Sequence, residues 1–397
     1  MSLIFDRRAE LGKKPVTHAC LTGVSVYPHL PGGGGPAAPQ AFGMESLASP
    51  ALTAFRLAEW LIENKDRLAA PLATCRVLAS PSAEELKKQK ALTGGESFPT
   101  WKNFSDDLKA WRSDARSNPG NYTFFYFGGH GVKLTTGDSV LLLSDFGDGI
   151  GGSLYRGARL HTIHSGMAPS KKKRVIASTQ FYFIDACRVL PDDFKEKEIQ
   201  QVPDVMDVDL GGTDNRSTPI FYGSISGKKA YAVDGAPTVF GEALLSCLAG
   251  GAGDMITDSG KEEYVITNFS LAQSLPKIIA DINSRLETDQ LCTTDGPQQL
   301  ASLVSLDAPP IVNITLEVDP AEAVPWTSVE IFDASTNEKV VDLPKPLNPH
   351  PISFPLPLRC YRLTGKVEPP QSTFANSPPL TKPARPPREN WKVLMRQ

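Results

Sequence analysis

The chain has 397 residues, with 41 Lys+Arg against 44 Asp+Glu and a formal net charge of −3. Hydrophobic residues make up 41% and charged residues 21%, ordinary globular usage, which excludes collagen-like, coiled-coil and wholly disordered chains. A general nucleic-acid-binding surface needs a basic excess, and there is none.

In chain order, the first ten residues carry Asp6, Arg7, Arg8 and Glu10 and no apolar stretch, so no signal peptide is expected. Apolar runs such as Phe124–Phe127 and Val140–Leu143 are too short to cross a bilayer. The six cysteines are far apart and form no CxxC pair, which speaks against a zinc ribbon and a disulfide scaffold. A cytoplasmic setting with no membrane partner follows as the expectation. His18–Val26 reads as a buried strand. The run Pro31-Gly-Gly-Gly-Gly-Pro36 lacks the Gly-Lys-Ser/Thr ending of a phosphate loop and reads as a flexible connector. Ala51, Ala54, Phe55, Ala58, Leu61 and Ile62 recur at helical spacing, which predicts a helix over 49–68. A strand over 76–80 and a helix carrying Phe104, Leu108 and Trp111 follow. Asn118-Pro-Gly120 stops that helix.

Two runs, Tyr122–Phe127 and Gln180–Ile184, are apolar on both faces, as central strands of a covered parallel sheet are. Val140–Ser144 is a further strand candidate, and another begins at Pro219. Phe240–Leu248 and Phe269–Glu287 read as helices, the latter from Leu271, Leu275, Ile278, Ile279, Ile282 and Leu286. Alternating strands and helices imply an α/β domain, a mostly parallel sheet with helices on both faces, over 1–308. Beyond Pro309-Pro310, residues 311–318, 328–332 and 362–367 alternate apolar and polar with no helix between them. A small antiparallel β domain is expected over 309–370, and a proline-rich tail over 371–397. Thirteen prolines fall between 344 and 387, and proline removes a ladder donor, which reads as edge, turn or extended chain. Lys171-Lys-Lys-Arg174 is a short basic run, read as a solvated loop.

The chemistry gathers where the two aromatic strands end. One runs into Gly128-Gly-His130-Gly131, the other into Asp185-Ala-Cys187-Arg188. Strands of a parallel sheet open their carboxyl ends into one crevice, so neighbouring strands would bring His130 and Cys187 together. The interval between them is ample for a βαβ crossover. A thiol with an ordinary pKa of about 8.5 is mostly protonated at neutral pH, and an adjacent imidazole removes its proton. The amides of Gly131 and Cys187 could form an oxyanion hole.

At these residues the chain resembles the caspase-like cysteine peptidases, the clan of caspases, metacaspases and paracaspases. Phe127-Gly-Gly-His-Gly131 is similar to their His strand end, and Phe183-Ile-Asp-Ala-Cys-Arg188 to their Cys strand end. The segments Phe221–Ser226 and Val239–Leu245 look like the small-subunit strand and helix. The resemblance covers roughly 15–305 and implies a three-layer fold on a six-stranded, mostly parallel sheet. It implies endopeptidase cleavage of protein substrates through a thioester, with His130 and Cys187 as the dyad. Asp185 stands two residues before the cysteine, as in metacaspases and paracaspases, where the acid helps bind a basic P1 side chain. Arg or Lys at P1 is the implied preference; the alternative is that Asp185 orients the loop. Ser224 and Asp234 are further candidates for substrate binding. The sequence departs from the metacaspase pattern in having no second acid in Gly23–Pro28, and in carrying Lys228 and Lys229 after Ser226.

The resemblance also implies that the segment after Cys187, 189–217, is where members are cut or rearranged on activation. Lys195, Lys197 and Arg216 are candidate self-cleavage points. Its acids, Asp192, Asp193, Glu196, Glu198, Asp204, Asp207, Asp209 and Asp214, could hold Ca²⁺. An acidic solvated loop is the preferred reading, and no metal or other cofactor is expected. The β domain offers no catalytic group. It suits docking of an activating partner, and a non-catalytic scaffold on the same fold stays open, as does a thiol hydrolase or transferase acting on small molecules.

Overall fold

The computed structural model describes residues 2–88, 97–135, 138–152, 154–171, 175–188, 202–208, 212–225, 235–258, 261–296, 299–367 and 373–396. The chain divides into two compact units, one of 1–245 with 275–303, the other of 246–274 with 304–397. The elements in order begin with β1 (Leu3–Asp6), α1 (Arg8–Leu11), β2 (Thr17–Val24), α2 (Pro50–Glu63), β3 (Leu72–Ser80), α3 (Ala83–Lys88) and α4 (Trp101–Ala115). Next come β4 (Tyr122–Gly129), β5 (Gly131–Thr135), β6 (Asp138–Leu142), β7 (Gly157–Arg159), α5 (Leu160–Gly166), β8 (Thr179–Ala186), β9 (Ile220–Tyr222) and α6 (Val239–Ser246). A π-helical turn over Cys247–Gly251 leads to β10 (Gly253–Asp258), β11 (Lys261–Thr267), α7 (Asn268–Leu286), β12 (Thr293–Asp295) and β13 (Ser302–Leu306). The remainder is β14 (Ile311–Asp319), β15 (Thr327–Asp333), β16 (Lys339–Leu343), β17 (Ile352–Pro357), β18 (Cys360–Val367), β19 (Leu380–Pro383) and β20 (Arg388–Leu394).

In the first unit seven strands form one sheet in the order β1-β3-β2-β4-β8-β9-β12. The central five are parallel, and the edge strands β1 and β12 pair antiparallel. Every residue of β2, β3 and β8 is buried, as a sheet covered on both faces requires. On one face, Phe125, Phe127, Tyr182 and Ile184 pack with Phe104, Leu108 and Trp111 of α4 in one apolar cluster. On the other, Phe124 and Phe183 meet with ring centroids 4.7 Å apart, and Phe183 stacks on Phe221 at 5.2 Å. The candidate strand over 140–144 lies instead at 138–142, in a separate small sheet β5-β6-β7 that caps the end of β4. The helix over 268–286 falls within a residue of its expected bounds.

The Pro31–Pro36 run departs from the flexible connector its composition suggests. Gly33 N–H donates to Leu30 C=O at 2.9 Å and Gly35 N–H to Pro28 C=O at 2.8 Å. A Cβ at Gly33 would stand 1.9 Å from the Tyr27 carbonyl oxygen, so glycine is required for close approach rather than for freedom.

The second unit differs from the expected boundaries because the hairpin β10-β11 pairs with β13, which ties 246–274 to this unit. Its larger part is built from the three-stranded sheet β17-β14-β20 and the four-stranded sheet β16-β15-β18-β19. Val312, Ile314, Leu316 and Val318 from the first share one core with Val329, Ile331, Tyr361 and Leu363 from the second. The segment set apart as a proline-rich tail supplies β19 and β20. Trp391, Val393 and Met395 alternate inward, and that burial outweighs the extended, solvated state its prolines favour. One pair, β14 with β20, is parallel, so the unit is mixed rather than wholly antiparallel.

At the base of the first unit, Asp114 accepts from Arg76 Nη2 at 2.8 Å and Arg8 Nη1 at 2.7 Å. Arg76 and Asp114 are both under 10% exposed. Replacing Asp114 by Ala strands the Arg76 guanidinium in the interior. A loss of roughly 3–5 kcal/mol in urea unfolding is expected, whereas removal of the exposed Lys87–Glu84 pair costs less than about 1 kcal/mol.

Candidate active site

The register of β4 and β8 builds the site. Tyr122 pairs with Thr179, and the ladder runs without a shift to Gly129 opposite Ala186. His130 and Cys187 are the residues that immediately follow these two strand ends. Both are half-buried. Gly131 opens β5 and turns the chain away from the sheet. A Cβ on Gly131 would lie 2.7 Å from the Cys187 carbonyl oxygen and 2.9 Å from Ala186 Cβ, so glycine lets the two strand ends close on each other.

His130 is fixed from three sides. Its Nε2 lies 2.7 Å from the Glu45 carbonyl oxygen. A carbonyl only accepts, so Nε2 carries the proton and Nδ1 keeps a lone pair. Its backbone N–H donates to the Tyr27 hydroxyl at 2.7 Å, and that hydroxyl donates to Leu142 C=O at 3.2 Å. The Tyr27 ring packs on the imidazole with centroids 4.9 Å apart. Desolvation lowers the His130 pKa, opposed by the Glu45 carbonyl, so the neutral base form is favoured. Burial pushes the Tyr27 hydroxyl far up, and the neighbouring Cys187 adds to that shift.

Glu45 belongs to a long connection after β2, which Leu47 N–H to Ser25 C=O at 2.7 Å and Ser46 N–H to Pro31 C=O at 2.8 Å hold in place. Neither Tyr27 nor Glu45 stands out in the sequence. A backbone carbonyl has no side-chain signature, and Tyr27 sits beyond the strand's alternating pattern.

Asp185 lies on the face of β8 opposite α4 and is 2% exposed. Its Oδ2 accepts from the Tyr126 hydroxyl at 3.0 Å and from the Thr238 hydroxyl. Its Oδ1 has no hydrogen-bond partner among the described residues. Desolvation raises its pKa to about 6, against the pull of the Thr238 and Tyr126 donors. Thr238 also accepts from Gly241 N–H at 3.0 Å, and so joins the start of α6 to the carboxylate.

The other expected residues separate. Ser224 is fully buried and its hydroxyl donates to Ala186 C=O at 2.8 Å, so it braces the Cys187 strand. Asp234 lies outside the described residues, as do Lys228, Lys229, Lys195 and Lys197. Arg216, read as a cleavage point, is 6% exposed. It bonds Asp214 at 2.7 and 2.8 Å and Gln180 Oε1 at 2.9 Å, a held side chain rather than one offered to a protease. Of the described parts of the acidic linker, 202–208 is docked, with Val205 and Met206 buried and Val205 C=O accepting from Ser105 at 3.0 Å. Among the described residues no group of three or more His, Cys, Asp or Glu gathers as metal ligands do. Among them also no helix is long and apolar enough to cross a membrane.

A caspase-domain family profile matches residues 62–298. The chain belongs to the caspase-domain family. It is 30% identical over 195 residues to an uncharacterized protein, y4kE, of Sinorhizobium fredii, a match covering 46% of this chain and 51% of that one. The chain thus spans about half the length of the curated relative it matches. Among solved structures it is similar to protein GSU0716 from Geobacter sulfurreducens, with a TM-score of 0.40 at 16% identity over 72% of this chain and 94% of that one. It is also similar to caspase-1 from Spodoptera frugiperda, with a TM-score of 0.40 at 11% identity over 72% of this chain and 89% of that one. The profile begins beyond Tyr27 and Glu45, so both contacts to His130 come from outside the matched span.

Two outcomes follow. Tyr27→Phe leaves the His130 N–H without its acceptor, and a loss of about 1–3 kcal/mol in urea unfolding is expected. Asp185 keeps its proton in the folded chain up to about pH 6, whereas an ordinary Asp releases it near 3.8. Raising the pH between those values therefore favours the unfolded chain at this residue. Unfolding titrations of Asp185→Asn should lack that downward slope.

Proposed function

We propose that this protein is a cysteine endopeptidase that cleaves protein substrates after Arg or Lys through a His130/Cys187 dyad. The observation that carries the reading is the β4–β8 register, which ends with Gly129 opposite Ala186, the residues that immediately precede His130 and Cys187. The tautomer supports it. With Nε2–H held by Glu45, the Nδ1 lone pair is the one left to take a proton.

In this reading Cys187 Sγ attacks the scissile carbonyl carbon while its proton passes to His130 Nδ1. The amides of Gly131 and Cys187 receive the developing oxyanion, each donor contributing about 3–4 kcal/mol in comparable hydrolases. The imidazolium gives its proton to the leaving amine, and a thioester remains. Water, activated by the same nitrogen, then releases the acid and restores the thiol.

The buried carboxylate of Asp185 supports a basic P1 residue. Its Oδ1 is unpartnered among the described residues, and a cation would supply what desolvation has removed. The acid-rich segment after Cys187 then acts as a linker that is cut or rearranged on activation, with Lys195 and Lys197 as cleavage points and Arg216 excluded by its burial. A reducing cytoplasmic setting suits a thiol nucleophile.

Wild-type protein should cleave peptides with Arg or Lys at P1 and leave those with Asp intact. Cys187→Ala should fall by at least about 1,000-fold in kcat/KM. Equal cleavage by both proteins would remove Cys187 as the nucleophile.

A further inference from the structure

The Asp185 carboxylate presents its two oxygens in unequal states. Oδ2 receives two donors, the Tyr126 hydroxyl at 3.0 Å and the Thr238 hydroxyl. A carboxylate oxygen has about two lone-pair directions, and both on Oδ2 are occupied. Oδ1 has no partner among the described residues, although Asp185 is 98% buried. It lies beside Gly223, where a Cβ would stand 3.0 Å from it.

The two donors are themselves fixed. Tyr126 is fully buried on β4. Thr238 is 4% exposed; its N–H donates to Thr53 Oγ1 at 2.9 Å, and its hydroxyl oxygen accepts from Gly241 N–H at 3.0 Å. Thr238 cannot move away without leaving the Gly241 N–H without its acceptor. A flip of the carboxylate exchanges two equivalent oxygens and leaves one of them holding both donors.

We infer that Tyr126 and Thr238 are specificity-determining positioning residues, which hold Oδ2 so that Asp185 offers a substrate cation a single oxygen. The inference rests on the reading of Asp185 as the receptor of a basic P1 side chain. A guanidinium gains over an ammonium mainly by binding both oxygens of a carboxylate through parallel N–H donors. With Oδ2 taken, that advantage is withheld, and the pocket answers to positive charge alone. Arg and Lys are then accepted on similar terms. Freeing one lone pair on Oδ2 restores the fork and favours Arg.

The test compares kcat/KM for peptides differing only in Arg or Lys at P1. It uses wild type, Tyr126→Phe, Thr238→Val, Thr238→Ser, Asp185→Asn and Cys187→Ala at pH 8.5, where the carboxylate is charged. Thermal unfolding checks that each variant folds; Thr238→Val also removes the acceptor for Gly241 N–H, so Tyr126→Phe is the primary variant. Wild type should turn over the two peptides within about threefold of each other. Tyr126→Phe should raise the Arg-to-Lys ratio roughly tenfold, the worth of one added charge-assisted hydrogen bond. Thr238→Ser, which keeps the hydroxyl, should hold the wild-type ratio. The hydroxyls favour the charged carboxylate, so Tyr126→Phe should also move the acid limb of the pH profile upward, a change that a packing defect does not produce.

A wild-type preference for Arg above tenfold, or an unchanged ratio in folded Tyr126→Phe, would overturn the inference while leaving Asp185 as receptor. Full activity of Asp185→Asn on both peptides would overturn the receptor reading and the inference with it.

Discussion

The site depends on the alignment of two parallel strands. β4 and β8 pair residue for residue from Tyr122 with Thr179 to Gly129 with Ala186. A slip by one residue would turn Asp185 and Phe183 onto the face that packs α4, and Tyr182 and Ile184 away from it. Side chains fix the register. Phe124 meets Phe183 at 4.7 Å on one face, and Phe125 meets Tyr182 at 5.8 Å on the other. The aromatic runs that make the strands so apolar are therefore also what sets the two strand ends level.

Beyond that alignment the chemistry is controlled by neutral partners. His130 is held by a backbone carbonyl and a tyrosine hydroxyl, and Asp185 by two hydroxyls. Desolvation is the leading influence on each, and it favours the uncharged form in both. The imidazole is thereby biased to its neutral form, and the Asp185 carboxyl holds its proton to about pH 6. The full ion pairs of the first unit lie elsewhere, as between Arg76 and Asp114, where they fasten helix to sheet.

Much of this was legible in the residues. Two doubly apolar runs marked the central strands, and their Gly-His-Gly and Asp-x-Cys motifs fall at strand ends that the register sets level. Helix α7 followed its apolar periodicity to within a residue. What escaped the sequence has physical causes. Glu45 acts through its carbonyl, which every residue possesses. The Pro31–Pro36 glycines mark close backbone approach as readily as freedom. The strands near the C-terminus were hidden by proline, although Trp391, Val393 and Met395 carried the alternation that buries them. Arg216 looked like a cleavable basic residue because sequence does not show that Asp214 and Gln180 enclose it.

The pairing of His130 with Cys187 is tested most directly by the pH dependence of Cys187 alkylation, followed by mass spectrometry of the peptide that carries it, in wild type and His130→Ala. Rapid labelling of wild type at neutral pH is expected. In His130→Ala, labelling should be slowed and should rise only as an ordinary thiol ionises near pH 8.5. Superimposable curves for the two proteins would contradict the pairing.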